Sequence, residues 1–385
     1  EGIFSFCHNL KNIEYHPNSE LQVIEKNAFK CSSIESLVIP SSVSELKSGW
    51  LNKAGQLEKL TVMPNNKNFR NYDDKLVLGK SDNKSDEYDV VVFAQRGIKS
   101  VTLPSNIKKI GPCAFAHSSI ESIMIPSSVT HICRGAFMDC RDLKHVDIPS
   151  DSQLQIIDDS AFSSSSIESI CIPSSVTQIC SFAFCNSILK HINFLPDSQL
   201  QMIGLCAFGG TQLERILIPS HVKEIDIESF SRIPTLKSCE FQSDSELRII
   251  GRESFMYCDS LERFSFPSSV IYIGAYAFGH CTFQEMLIHS DSKLRVIEPD
   301  AFSCASIQSL FIPQHVTRIS ENIFSSSSIE AIEIPSSVSE LKEGWCCRTK
   351  ELNKVAVNPN NKYFKNYEKF VFRKSNKESD EFDVL

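Results

Sequence analysis

No stretch of the chain approaches the roughly 18–20 consecutive apolar residues that a bilayer-spanning helix needs, so none of the 385 residues reads as a transmembrane segment. A basic excess is missing too. Thirty-nine Lys and Arg against 47 Asp and Glu leave a net charge of −8, without the cationic footprint of a nucleic-acid binder. There is no GxSxG, HExxH, P-loop or GxGxxG, the spacings that set a nucleophile, a metal or a phosphate in place. The carboxylates fall on turns and on one charge column rather than converging. The chain therefore reads as a non-enzyme without a cofactor. It also begins without Met or a signal peptide, but residue 1 already lies inside a repeat, since GIFSFCHNL resembles AFMDCRDL. Both ends read as cut from a longer protein.

Cysteine is abundant, at 15 residues, but its placement argues against a disulfide framework. Cys7, Cys140, Cys258 and Cys281 each follow a recurrent Phe by three residues, Cys31 and Cys304 follow it by two, and Cys113, Cys133, Cys180 and Cys206 precede it. Small thiols repeated at one point of a coil are expected as buried core fillers. His131, Cys133, Cys140 and His145 match no zinc spacing, so no metal site is expected there.

The recurrent Phe carries the organisation. The segment IPSSVTHICRGAF (125–137) returns as IPSSVTQICSFAF (172–184) and FPSSVIYIGAYAF (266–278), with looser copies at 148–162 and 312–324. Its terminal Phe falls at 115, 137, 162, 184, 208, 230, 255, 278, 302 and 324, in steps of 22 to 25 residues. A fixed period in this range marks a solenoid, whose core grows lengthwise as each coil packs on its neighbours. Residues 1–385 are accordingly expected to form one continuous array.

Before each Pro the template is apolar, two variable, apolar, one variable, apolar, as in Ile120-Glu-Ser-Ile123-Met-Ile125. The closing alternation predicts a short strand with its apolar side inward, ended by Pro, which cannot donate to a ladder. Fifteen such strands occur between Leu10 and Val357, predicting a parallel sheet on one face. The far side, ending in Ala-Phe, suits either a second short strand or a single helical turn. Phe184 is expected in the core, its ring stacked between those of Phe162 and Phe208. Alternate coils carry an SDSxL insertion (Asp151, Asp197, Asp244, Asp291), so the mid-chain unit is a pair of coils, about 46–47 residues long. Two excursions interrupt the pattern, at 64–97 and, truncated, at 359–385. In the first, Leu76–Leu78 and Val90–Phe93 flank a charged tip and predict a β-hairpin.

The motif IPSSVTxIxxxAFxxCxxL, clearest at Ile125–Leu143, and the NPNNKYFKNY module resemble the BspA-like leucine-rich-repeat proteins of bacteria and parasitic protists. The resemblance implies a leucine-rich-repeat solenoid, a β-rich α/β array of about fifteen stacked coils with hairpin excursions. It also implies a cell-surface or secreted module that binds a protein partner such as a host matrix or cell-surface protein. A rival reading is a cytoplasmic scaffold or recognition arm, which the core cysteines and the lone sequon at Asn83 support. A second is an appendage to a catalytic domain.

Two columns on the predicted sheet are candidate sites. The first variable position alternates as Glu121, Lys144, Glu168, Lys190, Glu214, Lys237 and Glu262, which stacks opposite charges on adjacent rungs and is expected to be structural. The third faces solvent yet carries Met124, Leu217, Leu287 and Phe311. These four are the candidate partner-binding residues, because neighbouring exposed apolar groups mark contact surfaces.

Overall fold

The computed structural model describes every residue except 1, 17, 52, 53, 83, 368, 369 and 375–385. The chain forms two compact units, 1–198 and 199–385. Each coil crosses one face as a strand, turns, passes a second face as a two-residue strand and closes through the turn around its Phe.

In the first unit, Ser36–Ile39 pairs in parallel with Lys59–Val62. Ser122–Met124, His145–Asp147, Ser169–Ile172 and His191–Phe194 form a four-stranded parallel sheet. Opposite it lie Lys109–Ile110, His131–Ile132, Ile156–Ile157 and Gln178–Ile179, also parallel. In the second unit, Arg215–Ile218, Ser238–Phe241, Arg263–Phe266 and Glu285–Ile288 form one parallel sheet, and Ser309–Leu310, Ala331–Ile334 and Lys354–Val357 form another. The expected alternation holds residue by residue: in Ser169–Ile172, Ile170 and Ile172 are buried while Ser169 and Cys171 are exposed.

Between the faces the Phe rings form stacks. Phe115, Phe137, Phe162 and Phe184 are fully buried and lie nearly parallel, with centroids 5.0, 5.1 and 5.2 Å apart. In the second unit Phe208, Phe230, Phe255, Phe278, Phe302 and Phe324 follow at 5.2 to 5.9 Å. Phe264 adds edge contacts to Phe255 and Phe278 at 5.2 and 4.8 Å.

Of the two conformations that the far side suits, the helical turn does not form: among the described residues there is no helix, and the fold is β-rich rather than α/β. Each Phe is flanked by two residues in the left-handed region. Cys113 and His117 have φ of 56° and 60°, Ser160 and Ser164 both 56°, and Glu253 and Tyr257 56° and 62°. This alternation turns every second amide toward the next coil, as in Cys113 N–H to Arg134 O (3.0 Å), Phe115 N–H to Ala136 O (2.8 Å) and His117 N–H to Met138 O (2.9 Å). The amides between them close tight turns within the coil, Ala116 N–H to Cys113 O at 3.2 Å among them. A left-handed non-Gly residue costs roughly 1–2 kcal/mol, which the inter-coil bonds and ring stacking offset. Among the described residues, none of the non-Gly residues with positive φ is Val, Ile or Thr, the side chains least able to adopt that conformation.

The excursion at 64–97 goes further than a hairpin. Phe69–Tyr72, Leu76–Gly79 and Val90–Ala94 form three antiparallel strands, and the last pairs in parallel with Lys109–Ile110. Leu76, Val77, Leu78, Val91 and Phe93 are fully buried, so the segment stands in for a coil. It leaves Lys59–Val62 at a sheet edge, and side-chain amides cover that edge. Asn71 bonds both the N–H and the C=O of Val62 (3.0 and 3.1 Å), and Gln95 does the same for Leu60 (3.1 and 2.8 Å). Asn66 fixes the entry to the excursion: its amide donates to Pro40 O and Val43 O and accepts from Asn68 N–H and Phe69 N–H, all at 2.8 to 2.9 Å. Asn361 repeats all four bonds, and Asn366 covers Val357 N–H and Val355 O. Of the excursion at 359–385, Phe364–Tyr367 pairs antiparallel with Phe370–Arg373. Residues 368, 369 and 375–385, like the sequon residue Asn83, lie outside the described residues.

Candidate interaction face

The strand faces carry the candidate residues, and all four are open to solvent: Met124 66% exposed, Leu217 47%, Leu287 42% and Phe311 46%. Met124, in the first unit, sits opposite Asp147. In the second unit Leu217 sits opposite Glu240, and Leu287 opposite Ser265. The Thr282↔Ser306 bridge sets the next register and places Phe311 beside Leu287. Leu287 and Phe311 thus form an apolar pair, which Leu217 does not join.

The charge column behaves as stacked rungs. Lys190 meets Glu168 at 3.1 Å, Lys237 meets Glu214 at 3.4 Å, and Lys99 and Lys11 pair the same way with Glu121 and Glu35. These pairs are exposed and each contributes about 0–1 kcal/mol. They tie adjacent rungs together.

All fifteen cysteines are in the thiol form. Cys140, Cys258 and Cys281 are buried as expected, and they do more than fill space: each thiol donates to the carbonyl of a Phe in a preceding coil, Phe115, Phe230 and Phe255, at 3.0, 3.1 and 3.1 Å. Burial pushes the Cys140 thiol up to about 11 and the Cys258 thiol up to about 12, so both stay protonated donors. The filler reading fails for Cys304, which is exposed, because the residue two after the Phe is left-handed and projects outward. Cys7 and Cys31 are half-buried. Among the described residues, the group with metal-ligand spacing is Asp158, Asp159 and Cys180, not the His131 set. Arg134 already holds Asp159 at 2.6 Å.

The sheet is not uniform, and proline decides where it opens. Gln242 N–H bonds Ile218 O at 3.0 Å and closes a four-residue ladder between Arg215–Ile218 and Ser238–Phe241. Leu195, Met63 and Asn358 do the same for Ile172, Ile39 and Ile334. One coil on from Gln242 the equivalent residue is Pro267, which has no N–H to give. There the ladder stops after Ser238↔Arg263 and Cys239↔Phe264. Pro173 has the same effect, leaving only His145↔Ser169 in register. Each interruption opens a cleft on the strand face. The one beside Pro267 has a volume of about 870 Å³, and the one between His145–Asp147 and Ser169–Ile172 about 380 Å³. The sequence holds the signal for these clefts in the choice between Pro and a donor after each strand. Recognising it requires the register between coils.

Stacked coils with a parallel strand face, an aromatic core and a variable outward column define a solenoid repeat protein. The sequence profile of the BspA type leucine rich repeat region matches residues 1–73, 89–188, 155–248 and 248–377, and the chain belongs to that family. No curated protein matches it. Among solved structures it is similar to a leucine-rich repeat protein from Bacteroides ovatus, at 19% identity over 90% of this chain and 91% of that one, TM-score 0.44. It is also similar to a leucine rich cell surface protein from Faecalibacterium prausnitzii (21%, covering 75% and 92%, TM-score 0.38). The pneumococcal vaccine antigen PcpA shares 17% identity (77% and 83%, TM-score 0.48). Among the described residues no helix is long and apolar enough to cross a membrane.

Proposed function

We propose that this chain is a non-catalytic protein-binding module of a cell-surface or secreted protein, and that it adheres to a host matrix or cell-surface protein through its strand face. The observation that carries the reading is the adjacent pair Leu287 and Phe311, 42% and 46% exposed on rungs whose inward residues Ile288 and Leu310 are buried. Outward positions vary from coil to coil without touching the core, as a recognition surface requires, and large apolar side chains tend to dominate contact energy. The family membership agrees with this reading.

The test is adhesion of protein-coated beads to matrix laid down by cultured cells. The double variant Leu287→Ser, Phe311→Ser is expected to lose adhesion and keep the wild-type melting curve. Lys144→Glu is expected to cost a little stability and no adhesion. Deleting 75–94 would strip Leu76, Val77, Leu78 and Phe93 from the core, so the excursion tip is tested by Asp82→Ser with Lys84→Ser. Loss of adhesion in the tip variant, with the serine pair adhering normally, refutes the strand face. The thiol state of all fifteen cysteines favours the second reading, a recognition arm working in a reducing compartment.

A further inference from the structure

We propose that the cleft between Ser238–Phe241 and Arg263–Phe266 receives the cationic side chain, arginine above all, of an extended segment of the partner protein. This rests on the protein-binding reading above and specifies the chemistry of the segment bound. The cleft encloses about 870 Å³ within the second unit. It exists because Pro267 withholds the amide that would have closed the ladder, and the same omission leaves the Phe241 carbonyl without its ladder donor. At this end of the strands the cleft is lined by Glu240, Asp244 and Asp291, all exposed and none in an ion pair among the described residues. The cationic side chains of the lining lie at the other end, where Lys237 is held by Glu214 at 3.4 Å, Arg263 by Glu285 at 3.9 Å, and Arg215 opens the neighbouring strand. The Pro end thus sets three carboxylates beside one imidazole, His289, whose Nε2 lies 3.2 Å from the Ser265 hydroxyl. Phe241 and Phe266 line the cleft, with Leu287 exposed beside them. An apolar stem can lie along such surface while its charged head reaches the carboxylates. Arginine fits better than lysine because its planar fork donates to several acceptors at once.

The molecule contains its own control. The cleft beside Pro173 arises from the same missing amide, yet its lining offers Asp147 as its one carboxylate, with Cys171 and Asn193 at the neighbouring outward positions. The opening alone therefore does not create the acidic end. That end comes from the residues chosen around Pro267.

The probe is a rhodamine-labelled, C-amidated peptide Gly-Leu-Arg-Leu-Arg-Gly, with a counterpart carrying Glu in place of Arg. Binding to the whole chain is followed by fluorescence anisotropy at about 20 mM and about 300 mM salt. The arginine peptide is expected to bind, more weakly at the higher salt, and the glutamate peptide to stay free. The triple variant Glu240→Gln, Asp244→Asn, Asp291→Asn is expected to weaken binding by about tenfold or more, with an unchanged melting curve because all three groups are exposed. Asp147→Asn is expected to change nothing. Equal binding of the arginine peptide to wild type and triple variant overturns the proposal, as does its failure to bind wild type or equal binding of both peptides. These outcomes are separate from the adhesion result. A serine pair that loses adhesion while the arginine peptide never binds leaves the module reading intact and removes the cleft. A triple variant that loses the peptide while the serine pair adheres normally keeps the cleft and removes Leu287 and Phe311 as the adhesive pair.

Discussion

Truncating Phe137 to Ala removes a wholly buried ring that lies parallel to Phe115 at 5.0 Å and to Phe162 at 5.1 Å. The transfer and cavity terms for a buried Phe come to about 3–5 kcal/mol. The two stacked contacts add about 0.5–1.5 kcal/mol each beyond area, which places this site at the upper end, about 5 kcal/mol. A globular domain is stable by only about 5–15 kcal/mol, so the loss is large. In a solenoid it should be felt first by the coils on either side. Urea melting followed by far-UV circular dichroism gives the magnitude, and hydrogen exchange by mass spectrometry gives the location. Exchange is expected to rise at the inter-coil amides of Phe115 and Phe137, now bonded at 2.8 and 2.7 Å, while the turns around Phe255 and Phe278 keep their protection. Phe137→Leu should show the same pattern with a smaller loss. A wild-type urea midpoint for Phe137→Ala would refute the aromatic stack as the source of cohesion, and a uniform rise in exchange across both units would refute the local coupling.

Two further outcomes follow from the thiols and from one buried carboxylate. Without reductant, a maleimide should label the exposed Cys171, Cys304 and Cys347 first and Cys140, Cys239, Cys258 and Cys281 only after denaturation; most of the fifteen found in disulfides by non-reducing mass mapping would reverse that view. Asp89 is 3% exposed, and burial alone would raise its pKa, but the Ser81 hydroxyl and amide at 2.6 and 2.8 Å and Lys108 at 3.3 Å more than reverse this and hold it below the usual carboxylate range. A lowered folded pKa stabilises above the unfolded value, and that contribution is lost as pH falls through the folded one. Asp89→Asn should therefore destabilise at pH 7 and converge with wild type in acid; a gap that persists undiminished at low pH would show that the charge is not what Asp89 contributes.

Much of this protein was written in its sequence because each coil repeats one local rule. The period of the Phe residues, the in-out-in strands, the burial of Phe184 against Phe162 and the alternating Glu-Lys column all follow from spacing within a single coil. The exposure of Met124, Leu217, Leu287 and Phe311 follows in the same way, since strand alternation sends the residue between two inward ones outward. What spacing within a coil could not settle depends on bonds between coils. The turn around each Phe is left-handed rather than helical because alternate amides such as those of Cys113 and His117 must reach the next coil, and no local pattern reports where a partner carbonyl lies. The excursion at 64–97 became a buried coil because Phe93 found a place in the core. The thiols of Cys258 and Cys281 proved to be hydrogen-bond donors because packing carries them to Phe230 O and Phe255 O. The cleft beside Pro267 shows the division most sharply. The proline is plain in the sequence, but its effect depends on which carbonyl stands opposite it. A register of 25 residues, Ser238 against Arg263, places that carbonyl, and only the stacked chain fixes that register.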